Sequence, residues 1–160
     1  MIQITRTTIC KAVLAMLFAA AFGFPASAQT KFDHAEYLKS AQPGEKKKGE
    51  SVQGSLCFYG AKKTIEFLNK DGAAELTIPN AAIKGLHYER TSRPRYAEGL
   101  LIAWPLLFTK SKKHYLTIQY ADTAGAGQFA ILHLDKNNYQ QILAAAEAQT
   151  GMKVDRAEEK

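Results

Sequence analysis

The segment QFAILHLDKNNYQQILAAAEAQTG, residues 128–151, changes period in its middle. Gln128 to Leu134 is a short apolar run rich in branched side chains, which predicts a strand. From Tyr139 the spacing is different. Tyr139, Ile142, Leu143 and Ala146 recur at i, i+3, i+4 and i+7, and so form one apolar stripe on a helix. Asp135 is a candidate N-cap, since its carboxylate can accept from free backbone N–H groups. Gly151 is the stop, because glycine tolerates the left-handed conformation just past a helix end. The chain therefore ends as a strand that passes into an amphipathic helix.

Upstream, the period is close to two. SLCFY (55–59), TIEFL (64–68), AELTIP (74–79), AIKGLHYER (82–90) and HYLTIQYA (114–121) are short apolar or alternating runs. In the last of these, Leu116, Ile118 and Tyr120 share one face. Turn signals separate the runs, with Asp71-Gly72 as a hairpin-type turn and ADTAGAG as a flexible one. Six strands joined mostly by tight turns predict a meandering antiparallel sheet, closed as a barrel or sandwich.

The first 28 residues read as a secretory signal. Arg6 and Lys11 precede the apolar run AVLAMLFAAAFGF, and Ala26-Ser27-Ala28 supplies the small residues of a cleavage site between Ala28 and Gln29. The run is short of the roughly 20 residues that a membrane span requires, so no transmembrane helix is expected in the mature chain. An exported protein, periplasmic or secreted, is the expectation. Cleavage removes Arg6 and Lys11 and leaves 132 residues with 19 Lys plus Arg against 15 Asp plus Glu, a net charge near +4. A charge that small, with no basic run interleaved with aromatics, excludes nucleic acid as the expected partner.

Cys10 leaves with the signal, so Cys57 stands alone and is read as a small, partly buried apolar residue rather than a reactive thiol. Residues 29–50, with Pro43, Gly44 and Lys46 to Lys48, have the composition of a flexible tether. The expected organisation is signal 1–28, tether 29–50, folded domain 51–152 and polar tail 153–160.

The six strands and terminal helix resemble the pleckstrin-homology-like (PH-like) fold, a mainly β barrel or sandwich of six or seven antiparallel strands capped by one C-terminal helix. The resemblance is to small exported bacterial members that are GRAM-like, and covers about residues 54–151. It rests on IPNAAIKGLHYER (78–90), KKHYLTIQYAD (112–122) and LDKNNYQQILAAAEAQTG (134–151). It implies a binding scaffold for lipid head groups, phosphopeptides or proteins. Members that bind phosphoinositides carry basic residues around the first strand turn. Lys62 and Lys63 alone occupy the turn read as that one, so this activity is not carried over.

Nothing in the sequence points to catalysis. No two of His34, His87, His114 and His133 are spaced i, i+2 or i, i+4, so no metal pair is expected, and no cofactor. A metal-dependent enzyme would need a site assembled in space from His87, His133 and Cys57. Glu66 and Glu75 are read as surface charge paired with lysines. No glycine-rich phosphate loop, GxSxG or HExxH occurs.

The stretch LLIAWPLLF, residues 100–108, carries the functional question. Arg93 and Arg95 precede it and Lys110, Lys112 and Lys113 follow it. Three readings are open. Leu100 to Ala103 can be a core strand that ends at Pro105. The stretch can dip into an anionic lipid surface, with Trp104 at the interface and the bases on head groups. It can also dock a protein partner or a second copy, with Trp104 as anchor. The core reading is preferred because most apolar runs are core. Any partner or membrane contact is expected to run through Trp104, Leu106, Leu107 and Phe108.

Overall fold

The computed structural model describes residues 29–39, 50–92, 94–95 and 111–157. Eight strands form one sheet: β1 Gln29–Leu38, β2 Ser51–Tyr59, β3 Thr64–Asn69, β4 Ala74–Pro79, β5 Ile83–Thr91, β6 Lys113–Ala121, β7 Gly127–Leu134 and β8 Asp155–Arg156. A 3-10 turn, Asn80–Ala82, joins β4 to β5, and helix α1 spans Tyr139–Thr150. The strand order is β4-β3-β2-β1-β7-β6-β5-β8. All neighbours are antiparallel except β5 and β8, which are parallel. The described residues are mainly β with one C-terminal helix, as expected.

The six expected strands are β2 to β7. The tether expectation is corrected for residues 29–38, which form β1 at the centre of the sheet, between β2 and β7. The physical reason is a bulge. Phe32 packs on the core, and so do Ala35 and Tyr37, although their parity differs. The register with β2 shifts between Phe32 and Ala35, and His34 adopts a left-handed φ of 63° there. One extra residue in the bulge breaks the two-residue period that would mark the strand. This moves the count of strands by one. The turn with Lys62 and Lys63 joins β2 to β3, and Lys46 to Lys48 belong to the β1–β2 connection, outside the described residues.

The polar-tail expectation is corrected as well. Val154 is 7% exposed and belongs to the core cluster, and β8 pairs with β5 through His87↔Asp155 and Tyr88↔Arg156. A single branched side chain in a charged stretch has no period to reveal it.

The core lies between the inner face of the sheet and α1. Leu56, Phe67, Ile78, Leu86, Leu116, Ile118 and Leu132 meet Ile142, Leu143 and Ala146. The helix begins at Tyr139 with Asn138 as N-cap, not Asp135. Asp135 closes the preceding turn, accepting from the Asn137 N–H at 2.8 Å through its carboxylate and from the Tyr139 N–H at 3.0 Å through its carbonyl. Gly151 ends the helix with φ 71°, and its N–H donates to the Glu147 carbonyl at 2.9 Å.

Close packing of two strands requires Gly54. A Cβ on it would stand 1.9 Å from the Leu68 carbonyl oxygen, well inside any contact distance.

A buried polar row at the root of the β5–β6 connection

Alternation sends Leu116 and Ile118 of β6 into the core, and so Tyr115 and Thr117 to the opposite face of the sheet. Both are nonetheless buried, at 0% and 1% exposure. Leu38, Glu89 and Ile131 on that outer face are buried too. The sheet formed by β5, β6, β7 and β1 therefore carries a second buried layer, which is polar in part.

Strand register sets this layer in two rows. Glu89, Tyr115, His133, Glu36 and Gln53 are directly paired across β5, β6, β7, β1 and β2. His87, Thr117, Ile131, Leu38 and Ser51 form the row beside it.

Glu36 is the hub of the first row. His133 Nδ1 donates to its Oε2 at 3.0 Å, and the Ser51 hydroxyl donates to its Oε1. The His133 hydrogen bond, with the Ser51 bond and the charge of Lys113, holds the Glu36 carboxyl below its ordinary range against the opposing effect of burial. Glu89 lies at the other end, 7% exposed. Burial pushes its carboxyl up, and Arg95 moderates the rise. The Arg95 N–H donates to Glu89 Oε1 at 2.8 Å, and Arg95 Nε stands 3.8 Å from Oε2. Between them, burial and the two carboxylates push the Tyr115 phenol up to about 12. Its hydroxyl and that of Thr117 have no hydrogen-bond partner among the described residues.

This arrangement does not build a nucleophile. A serine is activated by a base that takes its proton, with the acid behind the base. Here the acid stands in the middle and accepts from both Ser51 and His133. Cys57 does not join them. It lies six residues along β2 from Ser51, about 20 Å at strand spacing, and burial raises its thiol pKa. His87 and His133 share the outer face, but β6 runs between them. Among the described residues no group of three or more His, Cys, Asp and Glu is placed to hold a metal ion.

A groove of about 500 Å³ opens beside Glu36 and His133. The bulge residues Asp33 and His34 line it together with Gln53, Ser55 and Lys70. Asp33 is engaged, accepting from the Ser55 hydroxyl at 2.7 Å and pairing with Lys31 at 3.1 Å. Glu66 and Glu75 are half-buried and paired with lysines: Lys62 lies 3.9 Å from Glu66, and Lys39 and Asn69 hold Glu75.

Three of the expected contact residues can be placed. Arg95 is exposed and engaged by Glu89. Lys112 is exposed just before β6, and Lys113 is half-buried at its start, within the field of Glu36. Trp104, Leu106, Leu107, Phe108, Arg93 and Lys110 lie outside the described residues. Sequence reading singled out neither Glu36 nor Glu89. The first stood in a presumed tether, and the second is legible only once β5, β6 and β7 are in register.

No protein-family model matches the sequence, and no curated protein matches it. Among solved structures, a chain of the Spt16D Pob3N heterodimer matches with a TM-score of 0.50 at 13% identity, over 83% of this chain and 56% of that one. The chain thus spans little more than half the length of the chain it resembles. At this identity the likeness concerns the fold, which is PH-like. Among the described residues no helix is long and apolar enough to cross a membrane.

Proposed function

We propose that the protein is an exported, non-enzymatic binding module that contacts a protein partner of the cell envelope through the connection between β5 and β6. The PH-like fold supports an interaction module, and the motifs in 78–90, 112–122 and 134–151 resemble small GRAM-like members. The single observation that carries the choice of surface is the grip of Glu89 on Arg95. A carboxylate buried on β5 accepts from the backbone N–H of Arg95, four residues past the end of the strand, and stands 3.8 Å from its guanidinium. That contact ties Arg95, five residues before the apolar stretch 100–108 in sequence, to the outer face of β5.

The same contact favours a protein over an anionic membrane. Head-group binding needs basic side chains whose charge is not already answered locally. Arg95 is answered by Glu89, and Lys113 lies in the field of Glu36.

Trp104 is the only tryptophan, so its emission reports on the contact directly. The mature chain is excited selectively with and without phosphatidylglycerol vesicles. A red emission that ignores vesicles is expected, with Trp104→Ser/Leu107→Ser abolishing cross-linking to an envelope protein while the far-ultraviolet spectrum is unchanged. A blue shift on vesicles would replace this reading by peripheral membrane binding. An emission already blue, with the double variant unfolded, would make the stretch core.

A further inference from the structure

Two boundaries meet at Gln29. The small residues Ala26-Ser27-Ala28 put the expected cleavage immediately before it, and β1 begins with it. No spacer separates the new amino end from a central strand of the sheet. Gln29 stands opposite Tyr59 of β2 and is exposed. The first four residues of β1 pair with β2 alone, since β7 is met only at Glu36, Tyr37 and Leu38. Thr30 stands opposite Phe58, a core side chain, and both line a cleft of about 610 Å³ beside Ala145 and Gln149 of α1.

This position makes the amino end a point of attack, as chain termini are. An aminopeptidase that removed Gln29 and Thr30 would strip two pairs from the β1–β2 ladder and bare one side of Phe58. A free end also carries an ammonium charge. The carboxylates on this side of β1 and β3, Asp33 and Glu66, already pair with Lys31 at 3.1 Å and Lys62 at 3.9 Å. Lys62 also lies over the Tyr59 ring, 4.7 Å from its centroid. A neutral end suits this corner better than one more cation.

Glutamine can supply a neutral end by its own chemistry. The unprotonated α-amine attacks Cδ of the side-chain amide, and the new N–C bond closes a lactam. The Cδ–Nε2 bond breaks, and Nε2 leaves as ammonia. No oxidant, reductant or water is consumed. About a tenth of an ordinary α-amino group is unprotonated at neutral pH, so the nucleophile is present. The lactam keeps one N–H on the first nitrogen of the strand and offers no ammonium for an aminopeptidase to bind.

We infer that Gln29 is a modification site: once the chain is cut after Ala28, Gln29 cyclises to pyroglutamate and closes the amino end of β1. The inference rests on the export reading proposed above and names the form in which the exported chain persists.

The test expresses the full 160-residue chain in an exporting bacterial host. Protein recovered from the periplasm is held at neutral pH, and its intact mass is followed from harvest onward. The expected end state is residues 29–160 lighter by one ammonia, with the lactam placed on Gln29 by fragmentation of the amino-terminal peptide. An aminopeptidase should release nothing from it. The Gln29→Ala variant should be cut at the same bond, keep its free amine and lose its first residues to the same enzyme. Its far-ultraviolet spectrum checks that it folds. If it does not, Gln29→Glu, which keeps the shape of the side chain but has no amide to expel ammonia, takes its place. Residues 29–160 at full mass, with Gln29 released by the aminopeptidase, would overturn the inference and leave the export reading standing. A recovered chain that retains residues before Gln29 would overturn the export reading, and the inference with it.

Discussion

His133 Nδ1 stands 3.0 Å from Glu36 Oε2, across 97 residues of sequence. The carboxylate can only accept, so the imidazole carries its proton on Nδ1. This contact ties β7, the last strand before the helix, to β1, the strand that joins the two halves of the sheet.

Glu36 should make stability fall in acid. Its carboxyl is held below its ordinary value of 4.5, chiefly by His133. A depressed folded value contributes stability that is present above the ordinary value and lost as pH falls through the folded one. Glu36→Gln should cost about 1–3 kcal/mol at pH 7, the range for a lost charge-assisted hydrogen bond. Urea unfolding of both proteins from pH 7 to pH 3 checks this, and the difference should shrink below pH 4.5. A difference that stays constant with pH would show that the charge of Glu36 is irrelevant.

Glu89 should act in the opposite direction. Its folded value is raised by burial, so its contribution is fully present below the ordinary value and is lost as pH rises through the folded one. Glu89→Gln removes the buried charge, yet its amide oxygen can still accept from the Arg95 N–H. The variant is expected to be as stable as the parent at pH 7 or more so, with the advantage fading on acidification. A loss above about 1.5 kcal/mol at pH 7 would mean that the charge pair with Arg95 outweighs the cost of burial.

Gly54→Ala should be among the most damaging changes of a single methyl group in this chain. The new Cβ would lie 1.9 Å from the Leu68 carbonyl oxygen and 2.9 Å from its carbon, both backbone atoms that cannot rotate away. The β2–β3 pair must separate, at a cost of more than about 3 kcal/mol. Denaturant midpoints and soluble yield measure it. A cost under about 1 kcal/mol would be incompatible with the register Gly54↔Asn69.

Ile142 tests the helix as part of the core. It is fully buried against the sheet, so Ile142→Ala should cost about 2–5 kcal/mol. The exposed Ala148 on the same helix should tolerate serine with little effect. Similar losses at both positions would contradict the orientation of α1.

Much of this architecture was legible in the amino-acid order alone. Where one face of an element is buried and the other is wet, burial writes the element's own period into the chain. Six strands and the stripe Ile142, Leu143, Ala146 were found in that way, and Gly151 ended the helix because its conformation is a local property of one residue. The tertiary structure alone decided the rest. A bulge at His34 breaks the period of β1, so a central strand read as a tether. Val154 is a single apolar residue among charges, and only the β5 edge makes it core. The row from Glu89 to Glu36 is drawn from four strands that are separate in sequence. Hydrogen-bonded register brings those side chains together, and register is a relation between strands that no single strand's sequence contains.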